Sequence, residues 1–274
     1  MKFISFNING LRAHLHQLKA IIEKHKPEII GLQEIKVNND MFPFDEINKL
    51  GYYAFCNGQK AYYGVAILSK KKPFKIIKGL PYDEINAQSR VITLNIYNNK
   101  CPLVIVNAYF PQGDNRSNQK KFFLKKVFYQ DLLNYVIHIQ KTKAQLIVMG
   151  DMNISPNDLD IGIGDIKRNL WLKKGKCSFL PEEREWLSNL LNSGNLIDTY
   201  RAKNPDENSF FSWFDYRFKR FNDNCGLRID LILVCKNLIK YCIASGIDYE
   251  IRGMIKPSDH APVWSEFDIK NFRF

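Results

Sequence analysis

The chain has 274 residues, of which 45% are apolar, 13% aromatic and 25% charged, a balance that supports a sizeable core and excludes a disordered chain. Its 40 Lys and Arg outnumber 28 Asp and Glu for a formal net charge of +12, which makes a polyanion, nucleic acid first, the partner to consider. No apolar run reaches the roughly 18 residues of a membrane span. Asn7 and Asn9 also interrupt the stretch that a signal peptide would need, so neither membrane insertion nor export is expected. Lys2–Phe6 reads as a short apolar strand. Leu11, Leu15, Leu18 and Ile22 then recur at helical spacing until Pro27, and Glu28–Leu32 is strand-like again, a β-α-β opening. Val65–Leu68, Val91–Tyr97 and Leu103–Tyr109 are rich in strand formers and joined by short polar or Pro-containing segments, which predicts an antiparallel run. A helix is expected over Gln119–Ile139, a buried strand over Gln145–Met149, and a second helix over Pro181–Leu191, with acidic residues in its first turns and Gly194 just beyond its end. Arg228–Val234 and Pro262–Phe267 read as late strands. No Pro/Gly/Ser-rich linker interrupts this alternation, so one domain over residues 1–274 is expected. Cysteines at 56, 101, 177, 225, 235 and 242 form no C-x-x-C pair, which indicates neither a redox motif nor a zinc site and suits a reducing cytosol.

Several strands run straight into a carboxylate or amide: residues 3–6 into Asn7, residues 29–32 into Gln33 and Glu34, and residues 146–150 into Asp151 and Asn153. In α/β folds, ligands bind beyond the carboxyl ends of strands. Asn7, Glu34, Asp151 and Asn153 are hard oxygen donors of the kind that hold Mg²⁺ or Mn²⁺ together with a phosphate. Taken singly, each also reads as a turn former or a helix cap. Ser258-Asp259-His260 adds an Asp beside a His, an arrangement that places a proton donor next to a developing charge. Asp230 lies inside an apolar run, where a charge must be paired, and a histidine is its expected partner. Phe6-Asn7-Ile8-Asn9 is similar to Gly150-Asp151-Met152-Asn153, which suggests two related β-α halves whose strand ends converge. Tyr109 closes a strand just before a turn, from where its hydroxyl can reach a phosphate, although a core position suits its spacing equally. The aromatic stretch Phe210–Arg217, followed by Lys219 and Arg220, reads either as core or as a surface that stacks on bases or wedges into a duplex. No activated Cys and no G-x-S-x-G elbow points to covalent catalysis.

Assembled, these residues resemble the bacterial exodeoxyribonuclease III branch of the exonuclease/endonuclease/phosphatase (AP endonuclease) family. The resemblance runs from Met1 to about Phe267. It rests on residues 2–12, Gly31-Leu32-Gln33-Glu34, residues 150–156, residues 180–186, Gly226-Leu227-Arg228-Ile229-Asp230 and Ser258-Asp259-His260-Ala261-Pro262. Leu227 stands where the animal abasic-site endonucleases carry Trp, which points to the bacterial branch. The resemblance implies an α/β fold, a four-layer sandwich of two packed mixed β-sheets flanked by helices, with the site at one end of the sheets. By matching position, Asn7, Glu34 and Asp259 would hold Mg²⁺, with Mn²⁺ as a substitute. Asp151 would be the general base, Asn153 and Tyr109 would contact the scissile phosphate, and His260, oriented by Asp230, would stabilise it. A second metal would draw on Asp151, Asn153 and His260. Arg90, Gln112, Lys121, Trp213 and Phe214 match residues associated with DNA engagement, although residues 115–127 are more Lys- and Phe-rich than the family pattern. The implied activity is cleavage 5′ of abasic sites in double-stranded DNA, 3′-to-5′ degradation and removal of blocking 3′ groups, by a cytoplasmic monomer. A phosphatase or lipid phosphodiesterase of the same superfamily is the first alternative, which the net charge and the Trp213 segment disfavour. A non-catalytic DNA-binding module is the second, and it would have no use for Glu34, Asp151, Asp230 and His260 together.

Overall fold

Strand pleating decides which residues reach the centre of this molecule. In the computed structural model, strand β1 (Lys2–Asn7) sends Ile4 and Phe6 to one face, where they pack with Leu18 and Ile21 of helix α1 (Leu15–His25). Phe3 joins a different core on the opposite face. Because successive side chains alternate, Ser5 and Asn7 share that face with Phe3. Strand β2 (Ile29–Gln33) lies parallel to β1 and repeats the pattern, with Ile30 and Leu32 toward α1. The structure describes residues 1–84, 87–96, 102–218 and 220–268.

The remaining strands are β3 (Tyr53–Asn57), β4 (Val65–Ser69), β5 (Lys75–Lys78), β6 (Val91–Asn95), β7 (Leu103–Tyr109), β8 (Gln145–Asp151), β9 (Leu196–Asp198), β10 (Asp230–Cys235), β11 (Cys242–Ile247) and β12 (Val263–Phe267). They form two six-stranded sheets, ordered β11-β12-β1-β2-β4-β3 and β5-β6-β7-β8-β10-β9. In the first sheet β1 and β2 are the parallel pair and in the second β7 and β8 are, all other pairs being antiparallel. Reading the second sheet backwards reproduces the sequence of pairing senses in the first, with β8 in the place of β1. That pattern reads the same in either direction, so it matches β1 with β7 as well as with β8. The expected antiparallel run is split: β4 belongs to the first sheet, β6 and β7 to the second. Edge strands β3, β5, β9 and β11 and helices α2 (Phe44–Lys49) and α4 (Asp165–Lys173) were not anticipated. Tyr97, Cys101 and Lys219 lie outside the described residues.

Helices α3 (Gln119–Gln140) and α5 (Pro181–Ser193) cover the second sheet, as α1 covers the first, which gives the expected four layers. Asn118 caps α3 by accepting the Lys121 N–H at 3.3 Å, and Pro181 opens α5 at a position where no N–H is needed. Between the sheets the core turns polar near one end. Asn107 of β7 crosses to the first sheet and donates to the carbonyls of Leu32 and Ala66, both at 2.9 Å, while Gln33 donates to Asn107 Oδ1 at 2.6 Å. Gly31 is the space this amide needs, since a Cβ there would lie 2.8 Å from Asn107 Oδ1. Among the described residues, no helix is long and apolar enough to cross a membrane.

Candidate active site

The polar strand ends meet at that end of the sandwich. Asn7 Nδ2 donates to Glu34 Oε1 and, across the sheets, to Asp151 Oδ2, each at 2.9 Å. The pairing of β8 with β10 sets Asp230 opposite Asp151 on one face. Asp230 Oδ2 meets His260 Nδ1 at 2.8 Å, and His260 Nε2 lies 3.8 Å from Asp151 Oδ2. Ligand atoms of Glu34, Asp151 and His260 all fall within 4.8 Å of one another. Asn153 N–H donates to Asp151 Oδ1 at 2.9 Å, and its side-chain amide to the Phe110 carbonyl at 3.0 Å. Tight turns bring these groups together. Asn9, Glu34 and Asn153 have φ of 46°, 50° and 53°, a left-handed conformation that costs a residue with a Cβ about 1–2 kcal/mol. Gly150, at φ 153°, has no room for a Cβ, which would fall 1.8 Å from the Ala108 carbonyl.

Asp259 stands apart from the cluster. Its carboxylate accepts from Asn9 Nδ2 at 2.8 Å and from Trp213 Nε1 at 3.0 Å. Asn9 in turn accepts from Lys36, whose ammonium lies 3.1 Å from Glu34 Oε2. Neither Asn9 nor Lys36 is among the site residues expected from the sequence. The repeated Asn-x-Asn of residues 7–9 and the Asp-x-Asn of residues 151–153 was the available signal for Asn9, whereas Lys36 carries none.

Burial and the nearby Asp230 push Asp151 up to about 7. Burial alone would lower His260, but the charges of Asp230 and Asp259 outweigh it and raise the imidazole to about 10. Burial works to raise Glu34 as well, yet Lys36 and the Asn7 amide hold it below the usual range, so it stays ionised. Burial, with Glu34 and Asp151 close by, keeps the Tyr109 phenol protonated. The site therefore offers a protonated imidazole and a phenol as donors, beside a carboxylate poised near neutrality to take up a proton. Two carboxylates and an amide oxygen suit a hard divalent cation bound with an anionic substrate. Asp230 Oδ1, buried without a hydrogen-bond partner, adds to the negative potential of the site.

The family profile described as Endonuclease/Exonuclease/phosphatase matches residues 4–260. The chain belongs to that family. It is an enzyme of a metal-dependent group of phosphodiester hydrolases. Among its relatives, exodeoxyribonuclease III of Haemophilus influenzae is 54% identical over 267 residues, covering 97% of this chain and 100% of that protein. A 3′ phosphatase from Neisseria, solved with a product DNA hairpin, superposes with a TM-score of 0.90 at 34% identity, covering 98% of this chain and 99% of that one. An AP endonuclease from Archaeoglobus fulgidus gives 0.87 at 30% identity, covering 98% and 99%.

Not every residue expected to engage DNA on this endonuclease/exonuclease/phosphatase scaffold is free to do so. Phe214 is 0% exposed and packs edge-on against Phe211, Phe221 and Tyr249, with Arg252 over its ring. The reason is parity: Trp213 pairs with Leu227 and His260 as a short bridge, so its side chain turns to the site and that of Phe214 to the core. Phe214→Ala is accordingly expected to lower stability by about 3–5 kcal/mol in thermal unfolding, losing all activity together. Arg90, only 8% exposed, is a brace and not a free cation. Its guanidinium lies over Tyr63 at 4.2 Å and Tyr109 at 4.9 Å, and it donates to the Tyr109 carbonyl at 3.0 Å. Gln112 and Lys121 are exposed along a cleft of about 820 Å³ that begins at Tyr109, with Lys121 3.3 Å from Asp114.

Proposed function

We propose that the chain is a Mg²⁺-dependent DNA-repair phosphodiesterase, working as a cytoplasmic monomer of one domain over residues 1–274. It cleaves double-stranded DNA 5′ of abasic sites, degrades 3′ ends and removes blocking 3′ groups. The observation that carries this reading is the buried Asp151, hydrogen-bonded by Asn7, facing a histidine that Asp230 holds. The activities of the Haemophilus, Neisseria and Archaeoglobus relatives, as their names give them, support the choice of substrate.

In the reaction, Asp151 takes a proton from the attacking water, whose oxygen bonds to phosphorus as the bond to the leaving 3′ oxygen breaks. Protonated His260, the Tyr109 phenol and the Asn153 amide donate to the non-bridging oxygens, where charge develops. Glu34 and Asn7, with Asp259 linked to them through Asn9, are the residues that would hold the cation. A divalent cation held there would supply charge neutralisation for the phosphate. No covalent intermediate is needed, in keeping with the absence of an activated nucleophile among the site residues. Trp213, half-buried and donating to Asp259, would fill the gap left by a missing base, which costs less than unstacking a normal pair.

The test is a duplex with one abasic site, incubated with Mg²⁺ or with EDTA. A nick 5′ of the site that forms only with Mg²⁺ is the expected outcome, and an uncut duplex in Mg²⁺ refutes the reading. Glu34→Ala should raise the Mg²⁺ concentration needed for half-activity without unfolding the chain. Normal cleavage by that variant at limiting Mg²⁺ would remove Glu34 from the metal set.

A further inference from the structure

Behind the site lies an ion pair sealed from solvent. Lys125 of α3 and Glu183 in the first turn of α5 have side chains 0% exposed, with Lys125 Nζ 2.6 Å from Glu183 Oε1. Two buried charges lose their hydration, and an apolar pair of the same volume is often as stable, so such a pair is weak evidence for a role in stability. The remaining contacts of the ammonium show another use. It donates to the carbonyl of Asn153 at 2.9 Å and to that of Gln112 at 3.1 Å, which with Glu183 accounts for its three protons.

Those carbonyls belong to two different loops. Gln112 lies three residues beyond Tyr109 on the loop leaving β7, and Asn153 two residues beyond Asp151 on the loop leaving β8. One cation thus ties together the backbone of the segments that carry Tyr109, Asp151 and Asn153. It grips Asn153 where φ is 53°, a conformation that needs outside support. The lysine itself is held fast. Glu183 Oε2 accepts the N–H groups of Ser178 at 2.8 Å and Leu180 at 2.9 Å, and a Cβ on Gly113 would lie 2.9 Å from Lys125 Cδ, so the Gln112 loop rests directly on the lysine stem.

We propose that Lys125 is a positioning residue for phosphodiester cleavage. Anchored by Glu183, it fixes the two loops so that Asp151 and Asn153 meet water and phosphate in a single geometry. It acts through Asn153 and touches no substrate. The proposal rests on the roles given above to Asp151 and Asn153.

Lys125→Met combined with Glu183→Gln is the decisive variant. It removes both charges together, and the Gln oxygen can still accept the Leu180 N–H, while the clamp on the two carbonyls is lost. With the abasic duplex and Mg²⁺, kcat should fall about 10²-fold, the loss expected for a small misplacement of reacting groups. KM and the Mg²⁺ midpoint should stay near those of the unmodified chain, because Lys125 bonds neither the substrate nor Glu34. A folded double variant with unchanged kcat overturns the proposal, as does a fall in kcat that merely tracks the unfolded fraction. Should the double variant not fold, Lys125→Gln is read instead: its neutral amide has two N–H groups for the three acceptors that the ammonium serves, so the clamp on the carbonyls is weakened and kcat again falls at unchanged KM. An unaltered kcat there also overturns the proposal. Failure of the unmodified chain to cut the duplex, by contrast, strikes at the functional reading itself.

Discussion

Asp151→Asn is expected to slow cleavage by about 10²–10⁴-fold, because the amide keeps the size of the side chain and cannot accept the proton of water. The fold should survive. Asp151 is buried against Asp230, which raises it to about 7, so the folded chain binds that proton more tightly than the unfolded chain. The stability that Asp151 contributes to the metal-free protein should therefore be lost as pH rises from about 4 to about 7, and the difference in melting temperature between the unmodified chain and the Asn variant should change across that range. Single-turnover cleavage and melting temperatures in EDTA across that range check both halves. A variant within tenfold of the normal rate would take Asp151 out of the role of base.

The second large effect belongs to His260 and Asp230 as a unit. The 2.8 Å contact between Asp230 Oδ2 and His260 Nδ1 fixes the ring and supplies the charge that keeps it protonated against burial. His260→Asn and Asp230→Asn should each cost about 10²-fold or more, and the double variant little beyond the worse single one. Double-mutant kinetics measure this directly. Losses that simply multiply would show that Asp230 does not act through the histidine.

What the sequence made legible follows burial. Strands β1, β2, β4, β6, β7, β8, β10 and β12 lie inside their sheets, and largely apolar runs, or in β12 an alternating pattern, betray them. Strands β3, β5, β9 and β11 are the edges. There Lys75, Ile76 and Lys78 of β5 face solvent, and no periodic pattern survives to be read. Strand-end residues such as Asn7, Glu34 and Asp151 could be found because an apolar run that stops at a polar group is visible in one dimension. Which sheet each strand joins could not, since β4 and β6 look alike and only packing separates them. The same limit governs single residues. Trp213 and Phe214 are neighbours of similar chemistry, and only the bridge to Leu227 and His260 decides that one faces the site and the other the core. Lys125 was hidden for the opposite reason: a lysine among lysines on a long helix reads as solvated until Glu183 is found beside it.

The pairing of β1 with β12, in which Lys2 stands opposite Glu266, has a consequence for the life of the chain on the ribosome. β1 is made long before β12, so its outer edge finds a partner only when that strand has followed. Until then it presents unpaired N–H and carbonyl groups of the kind that recruit foreign strands, a window in which a holding chaperone has something to protect. The same delay withholds His260, so a half-made chain has no complete set of groups with which to cut DNA. Hydrolytic competence arrives only once residue 260 has been made, and a chain cut short before it lacks the imidazole that Asp230 and Asp151 face.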